Sequence, residues 1–331
     1  MTVIKIMLSP QLLQQLGEDI VIQIDESNLQ TTDERQVSLF CYMTATIRHL
    51  KESGHVRTSE TYACALRSIR RYLKGKDISL SLLTDQVTTG YESYLKDTHV
   101  SLNTISFYMR ILRAVYNRAV KEGIMPDQKP FDPVYTGIAK TVKRAISLSM
   151  IRQIKDASGL TRAQCFARDM FLFSFYTRGM SFVDMALLRK DNLKDGFLVY
   201  QRKKTGQTLK VRWKGCIQDI IDRNPSLDGI HLLPIIDKGK KDERKQYQRR
   251  QYAVHNALRK IAQQLGLSCR LTMYVARHSW ASIAKELHVP LSVISDSMGH
   301  TSERTTQIYL NSIDASQIDD ANDMILERIL Q

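Results

Sequence analysis

Residues 274–284 read Tyr-Val-Ala-Arg-His-Ser-Trp-Ala-Ser-Ile-Ala, and this stretch decides how the rest of the chain is read. Val275, Ala276, Trp280, Ala281, Ile283 and Ala284 make an apolar helix, and Arg277 stands inside it. A bare guanidinium is costly in such surroundings, so Arg277 needs a partner or a ligand. Taken singly, such an arginine is more often part of a structural ion pair with a carboxylate. His278 beside it reads as a structural histidine of the same helix.

Working outward, Gly299-His300 closes the run Leu291-Ser292-Val293-Ile294-Ser295-Asp296-Ser297-Met298, and Tyr309 follows nine residues after His300. Upstream, Tyr176-Thr177-Arg178-Gly179 ends an apolar helix, and Ser181-x-x-Asp184 is a capping box for the next. Between them lies Arg202-Lys203-Lys204-Thr205-Gly206. It is the basic turn of a β-hairpin with strands Phe197-Leu198-Val199-Tyr200 and Leu209-Lys210-Val211-Arg212-Trp213. Each patch alone is weak. A helix-terminal Gly-His is usually a cap, and a tyrosine flanked by Ile308 and Leu310 is usually packing.

Together the patches hold the parts of a phosphodiester-cutting site. A phenol with a pKa near 10 is a poor nucleophile at neutral pH. Cations around the phosphate favour the phenolate and stabilise the charge that builds on the phosphate oxygens. Arg178 and Arg277 would supply that charge, since arginine holds two phosphate oxygens with a planar fork and does not deprotonate.

Bulk properties agree with a polyanionic partner. The chain has 331 residues, which suggests two domains, and a formal net charge of +14. Cys41, Cys64, Cys165, Cys216 and Cys269 are scattered, with neither a Cys-x-x-Cys pair nor zinc spacing. An odd, scattered count fits a reducing compartment, with the five expected as small buried residues. Met1 to Met7 is too short for a signal sequence, and the apolar run at Met170-Phe171-Leu172-Phe173 is too short to span a membrane. A cytoplasmic protein with no membrane partner is expected.

Residues 1–30 read as a strand and loop. Residues 31–125 read as a compact helical domain of four helices. The first starts at Asp33, capped with Gln36; the second runs from Ser59 to Lys74, with Arg67, Arg70, Arg71 and Lys74 on its outer side; the third follows Thr84; the fourth begins at Asn103 and ends at Gly123. Pro126, Pro130 and Pro133 mark 126–147 as a linker. Residues 148–331 form a second, mostly helical domain interrupted by the hairpin. It ends in a tail helix from Ser316 that carries Ile318, Ala321, Ile325 and Ile329.

In order and spacing, Arg178, the hairpin lysines, Arg277-His278, Gly299-His300 and Tyr309 resemble the tyrosine recombinases, the phage integrase family, including integrases of mobile elements. The resemblance covers nearly the whole chain; its catalytic motifs are specific and its N-terminal half is generic. It implies a mainly α fold with a small β-hairpin or sheet in the catalytic domain, behind an N-terminal helical, SAM-like core-binding domain. It implies site-specific DNA recombination through a 3′-phosphotyrosyl intermediate, in integration, excision or inversion. Arg178, Lys204, Arg277, His300 and Tyr309 would be catalytic. Lys204 would be the general acid, with Lys203 as the alternative, and the hairpin could instead be only a DNA-contacting loop. The family usually has His-x-x-Arg where this chain has Tyr274-x-x-Arg277; Tyr274 can donate to a phosphate oxygen but is a poor base. The implied partners are double-stranded DNA, three further copies of the chain on paired sites, and accessory DNA-bending proteins. No metal and no cofactor are expected. Two alternatives remain: relaxation like that of a type IB topoisomerase, and a catalytically impaired DNA-binding protein.

Overall fold

The structure, a computed structural model, describes residues 37–139, 145–303 and 306–307. The segment expected over 1–30, the tail helix expected from Ser316, and Tyr309 lie outside the described residues. The chain divides into two compact units, with the division after Thr141.

Among the described residues the first unit holds four α-helices, α1 (Leu39–Glu52), α2 (Val56–Tyr72), α3 (Asp85–Asp97) and α4 (Leu102–Lys121). They pack through Leu39, Met43, Ile69, Tyr91, Ile105, Met109 and Leu112, all essentially free of solvent contact. Their apolar residues recur at helix spacing, so each buries one stripe. Arg67, Arg70 and Arg71 on the outer side of α2, and Lys74 just after it, are exposed. The expected cap at Asp33 and Gln36 lies outside the described residues; α1 begins at Leu39, with Ser38 as its cap. Ser38 accepts the Cys41 N–H at 3.0 Å, and Asp77 accepts the Phe40 N–H at 3.1 Å. The cap is completed from a loop distant in sequence, so a local pattern could not locate it.

The linker expected over 126–147 is shorter than its prolines suggest. Phe131 and Val134 are buried in the helical core. The Thr88 hydroxyl donates to the Pro130 carbonyl, the Ser106 hydroxyl donates to Gly137 O at 2.6 Å, and Asn103 exchanges two hydrogen bonds with Ala139. Proline prevents helix here but does not prevent burial.

The second unit contains α5 (Leu148–Lys155), α6 (Arg162–Tyr176), α7 (Phe182–Leu187), three strands, α8 (Gly215–Arg223), α9 (Glu243–Gln264), α10 (Met273–Glu286) and α11 (Leu291–Met298). Ala167, Met170, Phe171, Leu172, Phe173 and Ser174 of α6 are all buried, because α9 and α10 both pack on it. The strands β1 (Leu193–Lys194), β2 (Phe197–Gln201) and β3 (Thr208–Arg212) form one antiparallel sheet in chain order. In the β2–β3 register Phe197 faces Arg212 and Gln201 faces Thr208. Leu198, Tyr200 and Val211 point into the core, the alternation of a half-buried strand. On the other face Lys210 lies 4.0 Å over the Phe197 ring. The cysteines differ from expectation: Cys41 and Cys216 are exposed, and the other three are only partly buried. Among the described residues no helix is long and apolar enough to cross a membrane.

Candidate active site

Two helix C-termini and one hairpin turn build the site. At the end of α6 the chain leaves the helix through Arg178 and Gly179, both in the left-handed region with φ of 60° and 76°. An arginine there is uncommon and mildly strained, and such strain is often found at functional positions. The turn is held by Gly179 N–H to Ser174 O at 2.7 Å and by the Thr177 hydroxyl to Phe173 O at 2.7 Å. Gly179 is required for a second reason. A Cβ on it would lie 2.7 Å from Arg277 Cα, closer than atoms can pack.

That close approach seats Arg277, which is only 6% exposed. Its Nη1 donates to Gly179 O at 2.8 Å; its Nη2 donates to Met298 O at 2.6 Å and approaches His300 Nε2 at 2.9 Å. One carbonyl belongs to the turn that follows α6, the other to the last residue of α11, where helix carbonyls lack partners and a cation is favoured. Carbonyls orient a guanidinium without cancelling its charge. With Arg178, Arg202 and Lys204 also acting in this region, the described cluster is rich in cations and suits an anion.

Gly299 ends α11 in the left-handed conformation, with φ 63°. The hairpin turn docks on it. Arg202, 7% exposed, donates from Nη1 to Gly299 O, as does Thr205 Oγ1 at 3.4 Å, and Gln207 Nε2 donates to His300 O at 3.4 Å. On the other side of the turn, buried Asp184 accepts the Lys203 N–H at 2.8 Å and the Ser181 hydroxyl at 2.6 Å. Lys203 and Lys204 are both exposed at the tip. Buried Tyr200 reports how tightly the charges gather. Burial, then Asp184, pushes its pKa up, while Arg277, Arg202 and Arg178 all pull it down. Asp184, Gln207 and Thr306 are contributors that sequence reading missed. Arg202 was read only as part of the basic turn, and Asp184 only as part of a cap.

His300 is 6% exposed, and its pKa is pushed down to about 4 by burial, then by Arg277, Arg202 and Lys204. The imidazole is neutral at pH 7. This gives a stability prediction. The unfolded chain gains the proton near pH 6.5, and the folded chain resists it down to about pH 4, so acidification favours unfolding. The contribution is complete above pH 6.5 and is lost as pH falls towards 4, up to about 3 kcal/mol, of which about 2 lies between pH 7 and 5. Denaturant unfolding at both pH values should show the wild type losing about that much more than His300→Asn. Equal losses would mean that His300 is not held neutral. His255, also pushed down by burial, works in the same direction in both proteins.

Tyr274 sits on the first turn of α10, 44% exposed, one turn ahead of Arg277, with its ring edge-on to His278 at 4.2 Å. The structure thus gathers Arg178, Arg277, His300 and the hairpin lysines, with Tyr274 on the helix that carries Arg277.

Comparison with known proteins agrees with this geometry. Residues 38–136 match the phage integrase SAM-like domain, and residues 217–316 match the phage integrase family. The chain belongs to the phage integrase family of tyrosine-type, site-specific DNA recombinases, with a SAM-like domain ahead of a DNA strand-transferring catalytic domain. No curated protein matches the sequence. Among solved structures, a lambda integrase dimer bound to a COC' core site is similar with a TM-score of 0.66 at 15% identity, over 88% of this chain and 83% of that one. A lambda integrase tetramer bound to a Holliday junction is similar with a TM-score of 0.62 at 15% identity, over 88% and 85%. An integrase of the Tn1549 transposon in complex with transposon right end DNA gives 0.64 at 13% identity, over 88% and 100%. At these identities the structural likeness shows the fold alone.

Proposed function

We propose that this recombinase cuts DNA by attack of the Tyr309 phenolate oxygen on the scissile phosphorus. The attack forms a 3′-phosphotyrosyl bond and releases a 5′-oxygen that takes a proton from the Lys204 ammonium. A 5′-hydroxyl of a partner strand then attacks the phosphotyrosine and gives its proton to the now neutral Lys204 amine, and the restored phosphodiester expels the Tyr309 phenolate. The phosphoester bond energy is conserved, so neither ATP nor a metal enters the scheme. The observation that carries this reading is the seating of Arg277 on Gly179 O, Met298 O and His300 Nε2, which joins three separated sequence patches into one anion site. Arg178 and Arg277 bind the phosphate and stabilise its developing charge. Tyr274 donates to a phosphate oxygen from the exposed start of α10, in place of the histidine usual in the family. Lys204 fits the general acid better than Lys203: its charge reaches His300, whereas the Lys203 backbone is tied to Asp184.

Double-stranded DNA is the substrate, gripped by the catalytic domain and by the first unit, with exposed Arg67, Arg70 and Arg71 on α2 and Lys74 just after it as phosphate contacts. Strand exchange between two sites requires four active subunits, so the working form is a homotetramer on paired sites. The lambda integrase tetramer on a Holliday junction supports this by analogy. The DNA-clamping domain begins near residue 31 and runs past 125 to include Phe131 and Val134 of its core, and catalysis belongs to 148–331.

The test is a nicked duplex that traps covalent protein. The wild type should accumulate an adduct through a 3′-phosphate, and on intact paired sites it should exchange strands. Relaxation of supercoils without exchange would indicate a topoisomerase, and binding without adduct an impaired enzyme. In the same assay Lys204→Ala should be slow on ordinary DNA and recover when the scissile 5′-oxygen is replaced by sulfur, which leaves without protonation. Rescue of Lys203→Ala instead would move the general acid by one residue.

A further inference from the structure

Thr306 has no solvent-exposed surface, and its Oγ1 lies 2.7 Å from His300 Nδ1. On the opposite side of the ring, Nε2 is 2.9 Å from Arg277 Nη2. A guanidinium has donors only and does not deprotonate, so Nε2 is the acceptor in that contact and carries no proton. A neutral imidazole has one N–H, which must then be on Nδ1, and the Thr306 hydroxyl oxygen accepts it. The other tautomer would set an N–H against the N–H of Arg277 in a buried contact, and the Thr306 hydroxyl would have to turn round to donate.

We propose that Thr306 is a positioning residue: by accepting the Nδ1 proton of His300 it supports the tautomer whose Nε2 faces Arg277 and holds the ring in place, and it moors the chain just ahead of Tyr309 to the arginine site. The second part follows from covalent reach. Tyr309 is three residues beyond Thr306, and three residues span no more than about 11 Å. A hydrogen bond at Thr306 therefore restricts where the proposed nucleophile can be delivered. A valine would fill the same space without accepting a proton, and a serine would keep the hydroxyl. The activity part of this inference rests on the function proposed above; the tautomer part does not.

The test uses the full-length protein labelled with nitrogen-15 in histidine, with the His300 signals assigned by their loss in His300→Asn. In wild type and Thr306→Ser, Nε2 should resonate as an unprotonated nitrogen and Nδ1 as a protonated one. In Thr306→Val both should move towards the values of a mixed tautomer. Single-turnover cleavage of the nicked duplex at saturating protein should fall roughly ten- to a hundredfold in Thr306→Val, the scale of a small misplacement. Thr306→Ser should restore it and keep a thermal midpoint close to wild type, whereas Thr306→Val should melt lower because the buried Nδ1–H loses its acceptor; duplex affinity should stay close to wild type in both variants. An unchanged Nε2 signal in Thr306→Val overturns the inference, as does a cleavage loss shared equally by Thr306→Ser, which would mean packing alone. Normal cleavage by Thr306→Val also overturns the positioning role. A wild type that does not cleave counts against the recombinase function, while the nitrogen signals still decide the tautomer.

Discussion

Tyr309→Phe should bind target duplex with nearly wild-type affinity and give no covalent adduct on a nicked substrate. The substitution removes one hydroxyl and no charge, so the phosphate contacts that dominate affinity persist. The loss of adduct should be complete, because a phenyl ring has no oxygen able to form the phosphoester. Binding is followed by mobility shift and adduct by denaturing gel. A normal adduct yield would remove Tyr309 from the reaction and leave another residue to be found by mapping the modified peptide.

Arg277→Ala should lose twice over. Cleavage at saturating protein should fall at least about a hundredfold, close to 3 kcal/mol of transition-state stabilisation, the scale of one lost donor. Folding stability should fall as well. Gly179 O, Met298 O and His300 Nε2 each lose a buried donor, at about 1–3 kcal/mol for each group left unsatisfied. Arg178→Ala should share the first loss with little of the second, because Arg178 is only partly buried. Single-turnover rates and denaturant midpoints measured on both variants separate the two effects. If Arg277→Ala weakens duplex affinity yet cleaves at the wild-type rate when saturated, the guanidinium is an anchor and not a stabiliser of the reaction.

Sequence reading reached the helical first unit, the hairpin and the residue types of the site, because these rest on local periodicity and on motif order. The partners of those residues were beyond it. Arg277 stood in an apolar helix, and an acidic side chain was the commoner expectation; the groups that hold it include carbonyls at the ends of α6 and α11. Any helix end offers such carbonyls, and sequence does not say which ends meet. Thr306 shows the same limit: nothing marks one threonine among many until its hydroxyl is found against His300. In the first unit, the cap of α1 joins Ser38 to Asp77, and no local pattern indicates that second residue. Phe131 and Val134, set among prolines, looked like linker and are core, since burial depends on the surface that a segment meets and not on its own regularity.

Gly179 and Arg277 touch so closely that the glycine has no room for a side chain. The two arginine-bearing segments are therefore a single heritable unit, although almost a hundred residues separate them. A chimera joined to a distant relative anywhere between them would combine one parent's turn with the other's helix. It would work only where both parents had kept the same bare backbone at that point. For those who would graft new DNA specificity onto this enzyme by exchanging segments, the permissible joints lie outside that interval.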